Sequence, residues 1–191
     1  MFIRIDKLVS WRHILLCNAM VLKLNLWGHI RLLIVSIIIV GIFTWIYLSI
    51  PVTKGFDQLF IICILPLSVF VLPALYLHLS YYSRNSGITY NVSNEGIIKN
   101  ENETDTFYGV NDFDFIEFRM TKKRRYRLVT KGSFFDEYYY AYVHLSNNDY
   151  LIITSLYPQG VEKMLNNAFK GIITIKYSCT FYPSIMDYKV Y

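Results

Sequence analysis

A short basic run is the part of the sequence with the clearest chemistry. It places five cations within six positions: Lys122, Lys123, Arg124, Arg125 and Arg127. Clustered Lys and Arg side chains attract anionic lipid headgroups by about 1 kcal/mol each when they lie close to a membrane surface. The run therefore predicts contact with anionic lipid or with an acidic partner. The alternative is a solvated hairpin tip whose cations balance three nearby carboxylates, those of Asp112, Asp114 and Glu117.

No other group of residues in the sequence suggests catalysis. The four histidines are far apart and lack the spacing of a zinc enzyme: His13, His29, His78 and His144. The chain has neither a G-x-S-x-G nucleophile elbow nor a phosphate-binding loop. A solvated turn is a simpler explanation of the three carboxylates than a metal site. We therefore expect no enzyme activity, no cofactor and no bound metal.

Two long uncharged stretches precede the basic run in the sequence and predict where the chain is anchored. The first extends from Leu32 to Ile50, and the second extends from Gln58 to about Tyr82. A helix of about 20 apolar residues crosses a bilayer core of about 30 Å. The pattern predicts a membrane α-helical hairpin in residues 30–83, with spans at about 31–50 and 58–82. A helical hairpin buried in a soluble protein is the alternative, but the remaining chain is too small to cover two helices that are apolar on every side.

The distribution of charge predicts how the hairpin is oriented. The net charge is +5, and most of the excess precedes the hairpin, where Asp6 is the only acid among these bases: Arg4, Lys7, Arg12, Lys23 and Arg31. Basic residues mark the cytoplasmic side of a membrane protein. We therefore expect a multi-pass protein of the inner (plasma) membrane with both termini in the cytoplasm. This uneven charge gives no reason to expect a nucleic-acid partner.

Residues 1–29 form an N-terminal segment on the cytoplasmic side of the predicted hairpin. Trp11 and Trp27 stand among basic and apolar residues there. The segment could form an amphipathic helix at the membrane interface or an irregular lead-in, and the sequence leaves both open. The three cysteines, Cys17, Cys63 and Cys179, have no spacing that indicates a disulfide or a zinc site.

Residues 84–191 change to the two-residue period of β-strands, and we expect them to form a cytoplasmic domain. The predicted strands are 88–92, 97–99, 106–110, 115–120, 126–130, 138–145, 150–154 and 172–177, with a polar loop at 100–105. In the strand at 138–145, odd-numbered residues would line one face and even-numbered residues the other.

A single helix is expected near the end of this domain. It begins close to Pro158 and ends at Phe169, with one apolar stripe: Val161, Met164, Leu165, Ala168 and Phe169. About seven antiparallel strands would then form a barrel or a curved sheet closed by this helix. A Tyr-rich end, expected to be loosely ordered, follows it.

Residues 87–170 resemble the pleckstrin-homology-like (PH-like) fold, and in particular bacterial membrane proteins that join a two-span hairpin to such a domain. The residues that carry the resemblance are Gly87-Ile-Thr-Tyr-Asn-Val-Ser-Asn-Glu-Gly-Ile-Ile98, Tyr140-Ala-Tyr-Val-His-Leu-Ser-Asn-Asn-Asp-Tyr-Leu-Ile-Ile-Thr154 and Val161-Glu-Lys-Met-Leu165. The resemblance implies a binding or assembly module without shared catalytic residues.

Together these features predict a non-enzymatic binding or scaffold module that is held at the inner face of the membrane. Its expected partners are membrane lipids and either another protein or a second copy of the chain. The alternative function is a two-span β-rich effector that senses a small ligand and oligomerises to perturb the membrane.

Overall fold

Two long helices pack against each other at the start of the fold. The computed structural model describes residues 20–49, 56–126 and 135–185. Helix α1 is Leu26–Ser49 and helix α2 is Phe56–Asn85. Within the described ranges, α1 is the one helix long and apolar enough to cross a membrane. The predicted spans fall on these two helices apart from residue 50, which lies outside the described residues, and a hairpin that crosses a membrane stays a prediction.

A mainly-β part follows the helices and contains two four-stranded sheets. The first sheet is antiparallel, in the order β1 (Met20–Leu22), β2 (Ile88–Ser93), β3 (Gly96–Glu101) and β4 (Thr104–Gly109). The second has the order β7 (Tyr150–Thr154), β6 (Tyr140–Leu145), β5 (Phe113–Thr121) and β8 (Thr174–Thr180). A short helix α3 (Lys122–Tyr126) follows β5, and α4 (Val161–Phe169) lies between β7 and β8. The described strands do not close into a barrel.

The strand predicted after the helix, whose pairing the sequence left open, joins the second sheet. β8 pairs with β5 in parallel. β7 leaves one edge of the second sheet, and the chain passes through α4 before it joins the opposite edge as β8. A helical crossover of this kind returns the chain in its original direction, which makes the new pairing parallel.

Two local predictions also need correction. The polar segment 100–105 is a tight hairpin rather than a loop, because Asn102 and Glu103 adopt positive φ and join β3 directly to β4. Four of the five cations of the basic run lie in α3, in the connection between the antiparallel strands β5 and β6, and Tyr126 ends this helix instead of opening a strand. The remainder of the predicted strand 126–130 lies outside the described residues.

One face of each sheet contributes to a shared core. The apolar stripe of α4 completes this core, as its spacing predicted. β1 also belongs to it, because Leu22 is fully buried and Met20–Leu22 pairs with β2. This strand was not expected in a segment predicted to be an interfacial helix or an irregular lead-in, and residues 1–19 of that segment lie outside the described residues.

The other face of the second sheet packs against α1 and α2. The predicted alternation along β6 is confirmed: Tyr139, Ala141, Val143 and Leu145 face the shared core, whereas Tyr138, Tyr140 and Tyr142 face the helices. The helices contribute Leu32, Leu77 and Tyr81 to this second cluster. The strand is therefore buried on both sides, and the β part is fixed to the helical pair.

Candidate functional site

Helix α3 exposes two cations of the basic run to solvent and places two others in ion pairs with acidic residues. Lys122 and Arg125 are exposed and lie three positions apart, which places them near each other on the helix surface. Lys123 and Arg124 are half-buried. The Thr121 hydroxyl accepts a hydrogen bond of 3.3 Å from the backbone N–H of Arg124 and so starts the helix. Arg127, the last residue of the predicted site, lies outside the described residues.

Arg124 fixes α3 to the rest of the β part. Its guanidinium lies 3.1 Å from a carboxylate oxygen of Glu137 and 3.8 Å from one of Glu162, and it stacks 3.9 Å from the ring centre of Tyr139. Burial raises the pKa of the Tyr139 phenol, and the Arg124 charge opposes this shift. Lys123 likewise lies 3.6 Å from Asp136. These two cations are thus largely neutralised and serve the local structure.

The carboxylates that the sequence suggested as partners of the run have other contacts. Glu117 lies 3.3 Å from Arg119 and 3.7 Å from His144, whose pKa is lowered mainly by burial. Asp112 accepts a hydrogen bond of 2.7 Å from the N–H of Gly109. The remaining carboxylate, that of Asp114, accepts one from Ser146. The balancing acids instead come from the segment before β6 and from α4.

The exposed pair borders two clefts. Arg125 lies 3.5 Å above the ring centre of Tyr177 and lines a polar groove of about 590 Å³, which also contains the Arg124 ion pairs. Lys122 lines an apolar cleft of about 340 Å³ with Cys179, Thr180 and Phe181. Arg125 therefore stacks on an aromatic ring, and Lys122 shares a cleft with one.

The sequence did not reveal a polar junction that joins the helices to the second sheet. The Arg31 guanidinium donates a hydrogen bond of 2.8 Å to the carbonyl of Ser155. The Asn85 side chain is fully buried and hydrogen-bonds Ile152 and Thr154 of β7. In the sequence, Arg31 indicated only the orientation of the hairpin, and Asn85 lies in a polar stretch that resembles a loop. Neither residue therefore suggested a contact with the second sheet.

Two histidines that are distant in the sequence meet at the same junction. His29 Nδ1 lies 2.8 Å from His78 Nε2, and His78 Nδ1 lies 3.3 Å from the Tyr138 hydroxyl. The contact joins the first turn of α1 to the last turns of α2, so the two helices are antiparallel. His29 and His78 are 49 positions apart in the sequence, and the packing of α1 against α2 brings them together.

Residues 181–185, at the start of the Tyr-rich end, are held in place by hydrogen bonds from tyrosine hydroxyls. The Tyr81 hydroxyl donates a hydrogen bond of 2.6 Å to the carbonyl of Pro183, and Tyr140 donates one of 2.9 Å to that of Ser184. Tyr182 donates a hydrogen bond of 2.7 Å to the carbonyl of Pro73 on α2. The prediction of a loosely ordered end is therefore wrong for residues 181–185, because tyrosine hydroxyls satisfy their backbone groups.

Comparisons of the chain with protein-family models, with curated proteins and with solved structures found no match. Within the described residues, no group of three or more His, Cys, Asp or Glu could hold a metal ion. Two exposed cations beside aromatic rings instead suit a surface that is anionic and partly apolar.

Proposed function

We propose that the chain is a non-enzymatic integral membrane protein whose β part acts as a binding or scaffold module at the inner face of the membrane. The observation that carries this proposal is the surface of α1. Its buried residues are Gly28, Leu32 and Ser36, whereas many of its large apolar side chains are exposed. Burial of apolar surface contributes about 25 cal/mol per Å², so a bilayer is the natural cover for this helix.

The second span and the orientation belong to the same proposal. The antiparallel contact between α1 and α2 supports a two-span hairpin with both ends on one side of the membrane, and the basic residues before α1 favour the cytoplasmic side. Trp27 and Trp45 are exposed on α1 and stand 18 positions apart, which is about 27 Å along a helix. This separation matches a hydrocarbon core of about 30 Å with an aromatic residue at each boundary.

A PH-like relationship of the β part is also proposed. Two observations support this relationship: the strands are followed by the amphipathic helix α4, and this helix packs on the core that the two sheets share. The N-terminal strand β1 and the parallel strand β8 depart from the pattern that the resemblance implies. Such a module binds through its surface, which directs attention to α3.

Reporter fusions test the topology. Alkaline phosphatase fused after Tyr191 is expected to be inactive, because two crossings return the C-terminus to the cytoplasm, whereas a fluorescent protein at the same place is expected to be bright. A fusion after Thr53, which lies between the two helices in the sequence, serves as the control and should give an active phosphatase. An active phosphatase at Tyr191 would contradict the two-span proposal.

The exposed cations predict a preference for anionic lipid. In full-length protein purified in a non-ionic detergent, Lys122→Ser together with Arg125→Ser is expected to lower retention of phosphatidylglycerol about 10- to 30-fold, since each cation contributes about 1 kcal/mol. Native mass spectrometry would measure the bound lipid against phosphatidylcholine. Lys163→Ser with Lys170→Ser removes the same charge from exposed positions around α4 and should have little effect. An equal loss in both double variants would show that α3 has no special role.

The alternative effector function has less support. A ligand sensor would need a cavity lined by Arg or Lys inside the β part. The core shared by the two sheets and α4 is instead filled by buried side chains, and the groove beside Arg124 and Arg125 is open at the surface. A filled core favours a binding module.

A further inference from the structure

We propose that the C-terminal segment 181–185, through the rings of Phe181 and Tyr182, is an interfacial anchor that inserts into the boundary between lipid headgroups and acyl chains. The proposal rests on the proposed function, in which α1 and α2 cross the membrane. It assigns to the β part a second, apolar contact with the bilayer beside the exposed cations of α3.

The anchor is held firmly against α2. Tyr182 hydrogen-bonds the carbonyl of Pro73, and the next residue, Pro183, accepts a hydrogen bond from Tyr81. The ring of Phe135 contacts both aromatic residues of the anchor, with centroid distances of 6.2 Å to Phe181 and 5.4 Å to Tyr182. The position of the anchor relative to the membrane is therefore set by α2.

The depth of the anchor follows from helix geometry. The contact between His29 and His78 marks one level on both helices, and Trp27, the aromatic residue proposed for the inner boundary, is two positions from His29. Pro73 precedes His78 by five positions, which is about 7.5 Å along α2 toward the bilayer centre. Apolar groups of interfacial proteins are buried by about 5–10 Å, so Tyr182 contacts α2 at the required depth.

The exposed surface of the anchor has the chemistry of this boundary. Phe181 is 88% exposed, the largest value among the large hydrophobic residues that are described. It shares a cleft with Lys122, whose exposed cation attracts headgroups, and with the ion pair of Lys123 and Asp136. Because Tyr182 contacts α2 at Pro73, where Leu72 and Tyr76 expose apolar surface, we infer that the anchor contacts lipid and not another protein.

Spin labels would measure the depth directly. With Cys17, Cys63 and Cys179 replaced by serine, single labels are introduced through Phe181→Cys, Ile42→Cys and Phe107→Cys in the full chain. The protein is placed in nanodiscs of phosphatidylcholine and phosphatidylglycerol. Collisions with oxygen and with a water-soluble nickel chelate are then compared. The label at 181 is expected about 5–10 Å below the phosphates, the label at 42 deeper, and the label at 107, on strand β4, in water.

The three labels separate failure of the anchor from failure of the proposed function. If position 42 is in lipid but position 181 is as accessible to nickel as position 107, the anchor is wrong and the membrane helix stands. If position 181 is shielded from both oxygen and nickel, a protein contact covers the segment and the lipid anchor is again wrong. If position 42 itself is aqueous, the proposed membrane function fails, and the anchor fails with it.

Discussion

Alanine in place of Gly28 is expected to weaken the attachment of α1 to the second sheet. A Cβ atom at this position would overlap the carbonyl oxygen of Leu156 and lie 3.3 Å from its carbonyl carbon. Both atoms belong to the backbone, so no side-chain rotation can relieve the overlap, and α1 must move away. The hydrogen bond from Arg31 to Ser155 would be strained by the same movement. Overpacking of this kind costs about 1–3 kcal/mol.

Thermal unfolding of the full chain in detergent, followed by tryptophan fluorescence, would measure this effect. The Tm of Gly28→Ala should fall by about 2–12 °C, given roughly 2–4 °C per kcal/mol for a chain of this size. Gly41→Ala is the matched control, because it lies on the same helix and has no atom near its added Cβ. Alanine is favoured over glycine in a helix by about 1 kcal/mol, so the control should be unchanged or more stable. Equal Tm values for the two variants would show that the contact with Leu156 does not limit stability.

The β part was predictable wherever a local pattern carried the information. The alternation along β6 and the stripe of α4 are properties of single segments, and both appear in the structure as expected. The tight turn between β3 and β4 was predicted as a longer loop because Asn102 and Glu103 adopt positive φ without the glycine that commonly marks such a turn.

Features that depend on distant partners could not be read from the sequence. Met20–Leu22 is too short to show a period, and its pairing with β2 appears only in the folded chain. The direction of β8 depends on which edge the chain reaches after α4. A local pattern contains neither piece of information, since both are set by tertiary packing.

The candidate site shows the same division. Its position in the sequence was evident from charge alone, but which cations are exposed depends on the acids that α3 meets. Arg124 is paired with Glu137 and Glu162, which lie 13 and 38 positions away. The nearer carboxylates had seemed the natural partners, yet the hydrogen bonds of β5 and its flanking turns already engage them. Among the described residues of the run, the exposed pair Lys122 and Arg125 is the one suited to an external anion.

Replacement of Asn85 by alanine is expected to produce the largest polar loss at the junction. β7 is an edge strand, and its outward backbone groups have no neighbouring strand among the described residues. The Asn85 amide supplies the missing partners. Its nitrogen donates a hydrogen bond of 3.0 Å to the Ile152 carbonyl. Its oxygen accepts hydrogen bonds from the backbone N–H of Thr154 at 3.0 Å and from the Thr154 hydroxyl at 2.7 Å. The Tyr90 hydroxyl also donates a hydrogen bond to the Ile152 carbonyl, so this carbonyl keeps a partner in the variant. The N–H and the hydroxyl of Thr154 both lose the Asn85 oxygen that accepts their hydrogen bonds.

A buried polar group left without a partner costs about 1–3 kcal/mol, and Asn85→Ala exposes Thr154 to this penalty twice. We therefore expect a loss of about 2–4 kcal/mol and a decrease in Tm of about 4–16 °C in the same detergent assay. Asn167→Ala changes an exposed asparagine on α4 and should alter the Tm by no more than about 2 °C. If the two variants melted together, the Asn85 amide would not be holding the edge of the sheet to α2, and the apolar cluster around Leu77 and Tyr81 would have to provide the attachment alone.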